Sequence, residues 1–384
     1  MEKAAKRKVV VRPIGEKGET RALPALPLPP FVTQEIDLLP LESFYRATLG
    51  VPRYVVIVTQ GDILTTLEAF LIAFPLGEKR TFICASTDED LLRRLYSGLP
   101  QVDTTFLFLA RRPEEFWSVL AFFALQDRKR VLVGEPHGIF AECAWEYFVP
   151  FLPVDIPCFS FWQRSAFLYL PLSLCGVFPE EIERGFQEGY ALLREVALRM
   201  ALIISRELER KDCIYFVVDS LLLKKVTMSF APLLEECLGR KELLRIAGNG
   251  DFFREREEMP RSLVLFIRGN TRQGFQVKIP QTFSSLSGSF TPPGSLRRCS
   301  FADVQNAEAE VLQSLLRHVG GRFFVVEIPE LSPFFVGQYM AFLQYLACYS
   351  AWLRGVDVFS DPPLVQFERS IISFLARRGE EEAR

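Results

Sequence analysis

From Tyr54 onward, short runs of β-branched and aromatic residues alternate with longer stretches of helical period. YVVIVT (54–59) leads into ILTTLEAFLIAF, RTFICA (80–85) into DEDLLRRLYSGL, TTFLFLA (104–110) into PEEFWSVLAFFALQ, and RVLVGE (130–135) into FAECAWEYF. Strands apolar on both faces require a sheet covered on both sides, and strand–helix alternation places successive strands parallel. This succession predicts a doubly wound α/β domain. A second set follows with CIYFVVD (213–219), a helix through LLEECLG, SLVLFIRG (262–269), FQVKIP (275–280), the helix DVQNAEAEVLQSLLRHV, and RFFVVEIP (322–329).

The predicted organisation is an N-terminal arm (1–45), a first α/β domain (46–180), a connecting helix (181–211), a second α/β domain (212–330) and a C-terminal helical segment (331–384). The arm carries RALPALPLPPF, whose prolines favour an extended strap or a loose tail. EEIERGFQEGYALLREVALRMALIISRELER has a continuous apolar stripe at helical spacing, as a connector between domains would. SPFFVGQYMAFLQYLACYSAWLRG is apolar nearly all round, which predicts a helix buried in a core or an oligomer interface, and PLVQFERSIISFLARR predicts one more helix. At 384 residues the chain is long enough for two or three domains.

Composition excludes several function classes. The net charge is −2, far from the basic balance of a nucleic-acid binder. The eight cysteines are scattered singly through apolar runs with no CxxC pair, so they read as buried hydrophobes in a reducing compartment. No stretch reaches the roughly 18 uninterrupted apolar residues of a membrane span, and no hydrophobic region follows the basic N-terminus MEKAAKRKVVVRP. A cytoplasmic protein is expected. His137 and His318 are the only imidazoles, which leaves little from which to build a histidine metal site or relay. His137, in VGEPHGIF after a predicted strand, reads as a turn residue or a ligand-edge residue, and His318 as a partner of a helix C-terminus.

NAEAE (306–310), VEIPELSPFFVGQYMAFLQYLA (326–347), GVDVFSDPPLVQFER (355–369), ECLGRK (236–241) and STDEDLLRRL (86–95) occur in an order that resembles the glucose-6-phosphate isomerases, most strongly after residue 300. The resemblance implies two sugar-isomerase (SIS) αβα sandwich domains with parallel sheets plus a C-terminal helical arm. It also implies a homodimer, a sugar phosphate as ligand, no metal or other cofactor, and aldose–ketose isomerisation through an enediolate with a glutamate as base.

Position by position, the family's chemistry is unevenly retained. Glu236 aligns with the proton-transferring glutamate and Arg369 with the lysine that assists ring opening. An arginine there can hold an oxyanion but does not shuttle a proton. The serine/threonine phosphate loop is replaced by FLFLARRPEEFWS (106–118), where Glu114 and Glu115 would repel a dianion and Pro113 removes a backbone donor. Arg111 and Arg112 are the replacement anion ligands there. The glycine-rich turn becomes VIVTQGDILT (56–65), retaining Gly61 alone. Ser160 stands at the family's arginine, with Arg164 four residues on as its substitute, and Gly274 stands at the ring-opening histidine beside Gln273, a further substrate-binding candidate.

Phosphate loop, arginine and histidine are thus altered together. The expectation is a divergent, catalytically impaired family member acting as a binding, regulatory or assembly protein with a sugar phosphate or protein partner. The alternative is a working sugar isomerase with a rearranged site.

Overall fold

A computed structural model of the chain describes residues 8–14, 23–50, 52–74, 80–111, 115–156, 161–239, 243–269, 300–320 and 323–359. Two five-stranded sheets organise them. The first comprises β2 (Tyr54–Thr59), β3 (Arg80–Ala85), β4 (Thr104–Leu109), β5 (Lys129–Gly134) and the short β6 (Phe151–Pro153), all parallel in the order β3-β2-β4-β5-β6. The second comprises β1 (Val10–Ile14), β7 (Cys213–Val218), β8 (Leu244–Ala247), β9 (Ser262–Gly269) and β10 (Phe323–Ile328) in the order β1-β10-β9-β7-β8. Only the edge strand β1 runs antiparallel to its neighbour.

The double-sided apolar runs behave as their period demands. In β2, Val55 and Ile57 join an inner core while Val56 and Val58 join an outer one; in β4, Leu107 and Leu109 face inward and Phe106 and Phe108 outward. β7 divides in the same way, with Ile214, Phe216 and Val218 inside and Cys213, Tyr215 and Val217 outside. The outer face of the first sheet is covered by α4 (Glu89–Gly98), α5 (Glu115–Ala124) and α6 (Ile139–Tyr147), and that of the second by α10 (Asn249–Arg254) and α11 (Phe301–His318). Local signals set the helix starts: Asp88 caps α4 through the N–H of Leu91, and Ser300 with Asp303 forms a capping box on α11.

Between the sheets lies one helical layer of α3 (Gly61–Ala73), α7 (Ala166–Leu174), α8 (Pro179–Glu207), α9 (Leu221–Leu238) and α12 (Pro333–Arg354). The inner core is a single cluster that contains residues of both sheets and of all five helices. The two α/β halves therefore share one apolar interior. The all-round apolar helix is explained at once, since α12 is buried from Phe335 to Ala351 within that interior. The predicted connector, α8, lies against α12 along its length. Glycines permit the approach: a Cβ at Gly185 would sit 2.1 Å from the carbonyl oxygen of Phe334, and one at Gly337 would sit 2.4 Å from that of Ile182.

The N-terminal arm departs from its expectation as an extended or loose segment. It contributes β1 and two short helices, α1 (Pro30–Thr33) and α2 (Leu39–Phe44). Phe31 is fully buried, with its ring centroid 4.4 Å from that of Phe161, because it completes the inner core. Arginines hold the strap down: Arg164 donates to the carbonyls of Phe31 and Gln34, and Arg194 to that of Leu26. β6 and β8, at three and four residues, are also absent from the sequence expectation. FQVKIP and PLVQFERSIISFLARR lie outside the described residues. The six described cysteines are buried thiols, and none of them is in a disulfide. No helix among the described residues is long and apolar enough to cross a membrane.

Candidate functional site

In a doubly wound sheet, ligands bind outside the carboxyl ends of the strands where consecutive connections leave in opposite directions. The orders above put that point between β2 and β4 in the first sheet and between β7 and β9 in the second.

The first point is closed by three side chains from separate elements. Asp62 lies in the first turn of α3, Arg111 two residues beyond the end of β4, and Trp162 in the segment before α7. The Arg111 guanidinium donates from Nη2 to Asp62 Oδ1 at 2.6 Å and from Nη1 to Oδ2 at 3.5 Å. The Trp162 indole N–H donates to Oδ2 at 2.6 Å, and the Arg111 guanidinium carbon sits 5.5 Å from the centroid of the Trp162 ring. Beside them, Ser86 at the end of β3 donates from its hydroxyl to Gln60 Oε1 at 3.2 Å. Trp162 is fully buried and the Arg111 side chain is 8% exposed, whereas Asp62 retains 21%.

Arg111 thus stands at the strand end where the sequence placed an anion ligand, with its charge already matched by Asp62. Arg164 lies in the interior instead. It forms a bidentate pair with Glu183, and the same carboxylate accepts from Tyr169 Oη at 2.5 Å and Gln187 Nε2 at 2.9 Å. Together with the carbonyls of Phe31 and Gln34, this gives Arg164 the connections of a structural clasp on the N-terminal strap. A related polar chain runs from Tyr190 through Gln344 to Gln163. These buried groups satisfy one another, as interior polar groups must.

Glu236 is exposed in the last turn of α9, and partial burial of its carboxyl raises its pKa. Its neighbour Glu235 accepts the N–H of Leu244 at 3.1 Å and so fastens the start of β8. An 18-residue helix spans about 27 Å, so Glu236 is far from the β7 end of α9. Arg112, Gln273 and Arg369 lie outside the described residues, as do Glu114, Ser160 and Gly274.

The second switch point carries a residue that sequence reasoning missed. Asp219, immediately after β7, accepts the N–H of Gly269 at 3.0 Å. Burial pushes its carboxyl up to about 6, against the hydrogen bond from Gly269 and the charge of Arg268. Next to it, Arg268 donates to Asn306 Oδ1 at 2.5 Å, which gives the asparagine of the NAEAE motif a contact at the strand ends. The available sequence signal was a lone aspartate closing an apolar strand. For Asp62 and Trp162 there was none, since their contacts span 49 and 100 residues. His137 is exposed in the turn before α6, and His318 is exposed as the last residue of α11. Among the described residues no group of three or more His, Cys, Asp or Glu side chains is placed to hold a metal ion.

No protein-family model matches the chain. A glucose-6-phosphate isomerase of Caldanaerobacter subterraneus is 32% identical over 73 residues, a stretch covering 18% of this chain and 16% of that protein. Among solved structures, a hypothetical protein of Thermus thermophilus superimposes with a TM-score of 0.76 at 18% identity, covering 88% of each chain. The glucose-6-phosphate isomerase of Chlamydia trachomatis gives 0.68 at 16% identity, covering 89% of this chain and 74% of that one. The tagatose-6-phosphate ketose/aldose isomerase of Escherichia coli gives 0.54 at 11%, covering 84% and 89%. The resemblance carried by the sequence motifs is therefore matched at the level of fold, and the two-sheet α/β architecture is one found in sugar-phosphate isomerases.

Proposed function

We propose that this chain is a divergent protein of the glucose-6-phosphate isomerase type that binds, regulates or assembles rather than isomerises. The observation that carries the proposal is that both described arginines offered as anion ligands, Arg111 and Arg164, are paired with the chain's own carboxylates, Asp62 and Glu183. An isomerase must hold a phosphoryl group and stabilise an enediolate with cationic or N–H donors free to meet the substrate. Donors already matched internally give little differential stabilisation of a transition state. The family-aligned histidine position is glycine, which removes the imidazole from ring opening.

A working isomerase is the competing reading, and one observation favours it: the Glu236 carboxyl is raised by burial, the direction that suits a general base near neutral pH. Its partners would be Arg369, Arg112 and Gln273. A coupled assay separates the two. Purified protein is expected to show no conversion of fructose 6-phosphate to glucose 6-phosphate above blank, and turnover abolished by Glu236→Gln would overturn the proposal. Calorimetry with 6-phosphogluconate tests for retained sugar-phosphate binding. Light scattering tests the homodimer that the family resemblance implies, and a protein partner enters the same proposal.

A further inference from the structure

The Asp62–Arg111–Trp162 cluster lies where this kind of sheet receives a ligand, and its geometry is that of a bound oxyanion. Two donors from elements distant in sequence converge on one carboxylate at 2.6 Å each, one of them a guanidinium. A guanidinium as buried as that of Arg111 requires an anion at this point. The chain supplies it from the first turn of α3, whose leading residue Gly61 has φ +64°, a left-handed conformation that glycine adopts without strain.

The contrast with the other buried pair is informative. Glu183 is enclosed in the core, with a side-chain exposure of 7%, and is held by a tyrosine and a glutamine as well as Arg164. The Asp62 side chain is 21% exposed, at the rim of the strand ends, so solvent reaches it.

We infer that Arg111 and the Trp162 indole form a latent oxyanion site whose resident occupant is the chain's own Asp62 carboxylate. An external phosphoryl or carboxylate group enters by displacing Asp62. The apparent affinity for such a ligand is then the intrinsic one reduced by the fraction of molecules in which Asp62 has swung away. This inference rests on the proposed non-catalytic state of the same site and adds an autoinhibitory contact to it.

The test removes the resident carboxylate. Asp62→Ala is titrated with inorganic phosphate and, separately, with formate, which matches the excised group in size; calorimetry and thermal unfolding are the readouts. Saturable anion binding at least tenfold tighter than in the wild type is expected, together with a rise in the midpoint of unfolding of about 2 °C or more at saturating anion. Both should vanish in Asp62→Ala/Arg111→Met. Binding of formate alone would assign the site to carboxylate ligands, and binding of phosphate would assign it to phosphoryl ligands. A folded Asp62→Ala that binds neither anion better than the wild type overturns the inference, as does equal binding by the double variant. Should Asp62→Ala fail to fold, Asp62→Asn keeps the shape without the charge, and an anion response no greater than that of the wild type is equally decisive. Turnover by the wild type would overturn the proposed function without altering what the anion titration reads. A failed titration would leave the inactive state standing.

Discussion

Replacing Gly185 by alanine probes the contact that joins the two halves of the molecule. An ideal Cβ at this position meets the Phe334 carbonyl oxygen at 2.1 Å, the Phe334 carbonyl carbon at 3.0 Å and the Gln338 nitrogen at 3.2 Å. All three atoms belong to the backbone of α12, so no change of rotamer relieves the clash. Restoring ordinary contact requires α8 and α12 to part by about 1 Å at a point packed on all sides. Overpacking a core costs about 1–3 kcal/mol when side chains can adjust. With helix backbone as the obstacle, a loss of about 3 kcal/mol or more is expected.

Gly98→Ala supplies the control, because its Cβ would have nothing within 4 Å in the last turn of α4. That variant should gain about 0.4–1 kcal/mol by restricting the unfolded chain. Urea unfolding followed by circular dichroism measures both, with the shift in midpoint read at constant slope. Because the inner core runs through both sheets, one cooperative transition is expected for each protein. A Gly185→Ala protein as stable as Gly98→Ala would refute the close approach of α8 and α12.

Arg164→Met should destabilise by about 3–5 kcal/mol, since Glu183 is left buried without a cation, and should increase proteolysis of residues 23–34 as the strap loses its clasp. Arg164→Met/Glu183→Leu should recover part of that loss in thermal unfolding; a double variant less stable than the single would count against the buried-charge account. Asp219 predicts a pH dependence of definite sign. Folded Asp219 holds its proton more tightly than the unfolded chain, so its contribution is complete below about pH 4 and is lost as pH rises through about 6. A displacement of roughly two pH units corresponds to about 3 kcal/mol between pH 4 and 7. Comparing wild type with Asp219→Asn isolates it: the difference in stability between them should change over that range, and a constant difference would refute the assignment.

β2 and β4 were legible because burial on both faces leaves them continuous apolar runs, with threonines only at their ends and no charged residue. β1 was hidden in a charged segment whose pairing with β10 depends on residues more than 300 positions away. β6 and β8 are too short for a period to register. At the site, the strand-end place of Arg111 could be inferred from the end of an apolar run, whereas the identity of its partner could not. Arg164 is offered as an anion ligand through the resemblance, as substitute for the family's arginine, yet tertiary packing directs it to Glu183 and two backbone carbonyls.

Periodicity and composition by themselves determined the α/β class, the two strand–helix sets and the burial of the apolar helix now seen as α12, because those properties follow from which faces of an element must avoid water. Only the tertiary structure decided that the two sets share one interior through glycine contacts, and that Asp62, Arg111 and Trp162 meet at the first switch point. The physical reason is range. A hydrophobic period is written within one element, whereas the partner of a buried charge is chosen by desolvation among groups that only the folded chain brings within hydrogen-bonding distance.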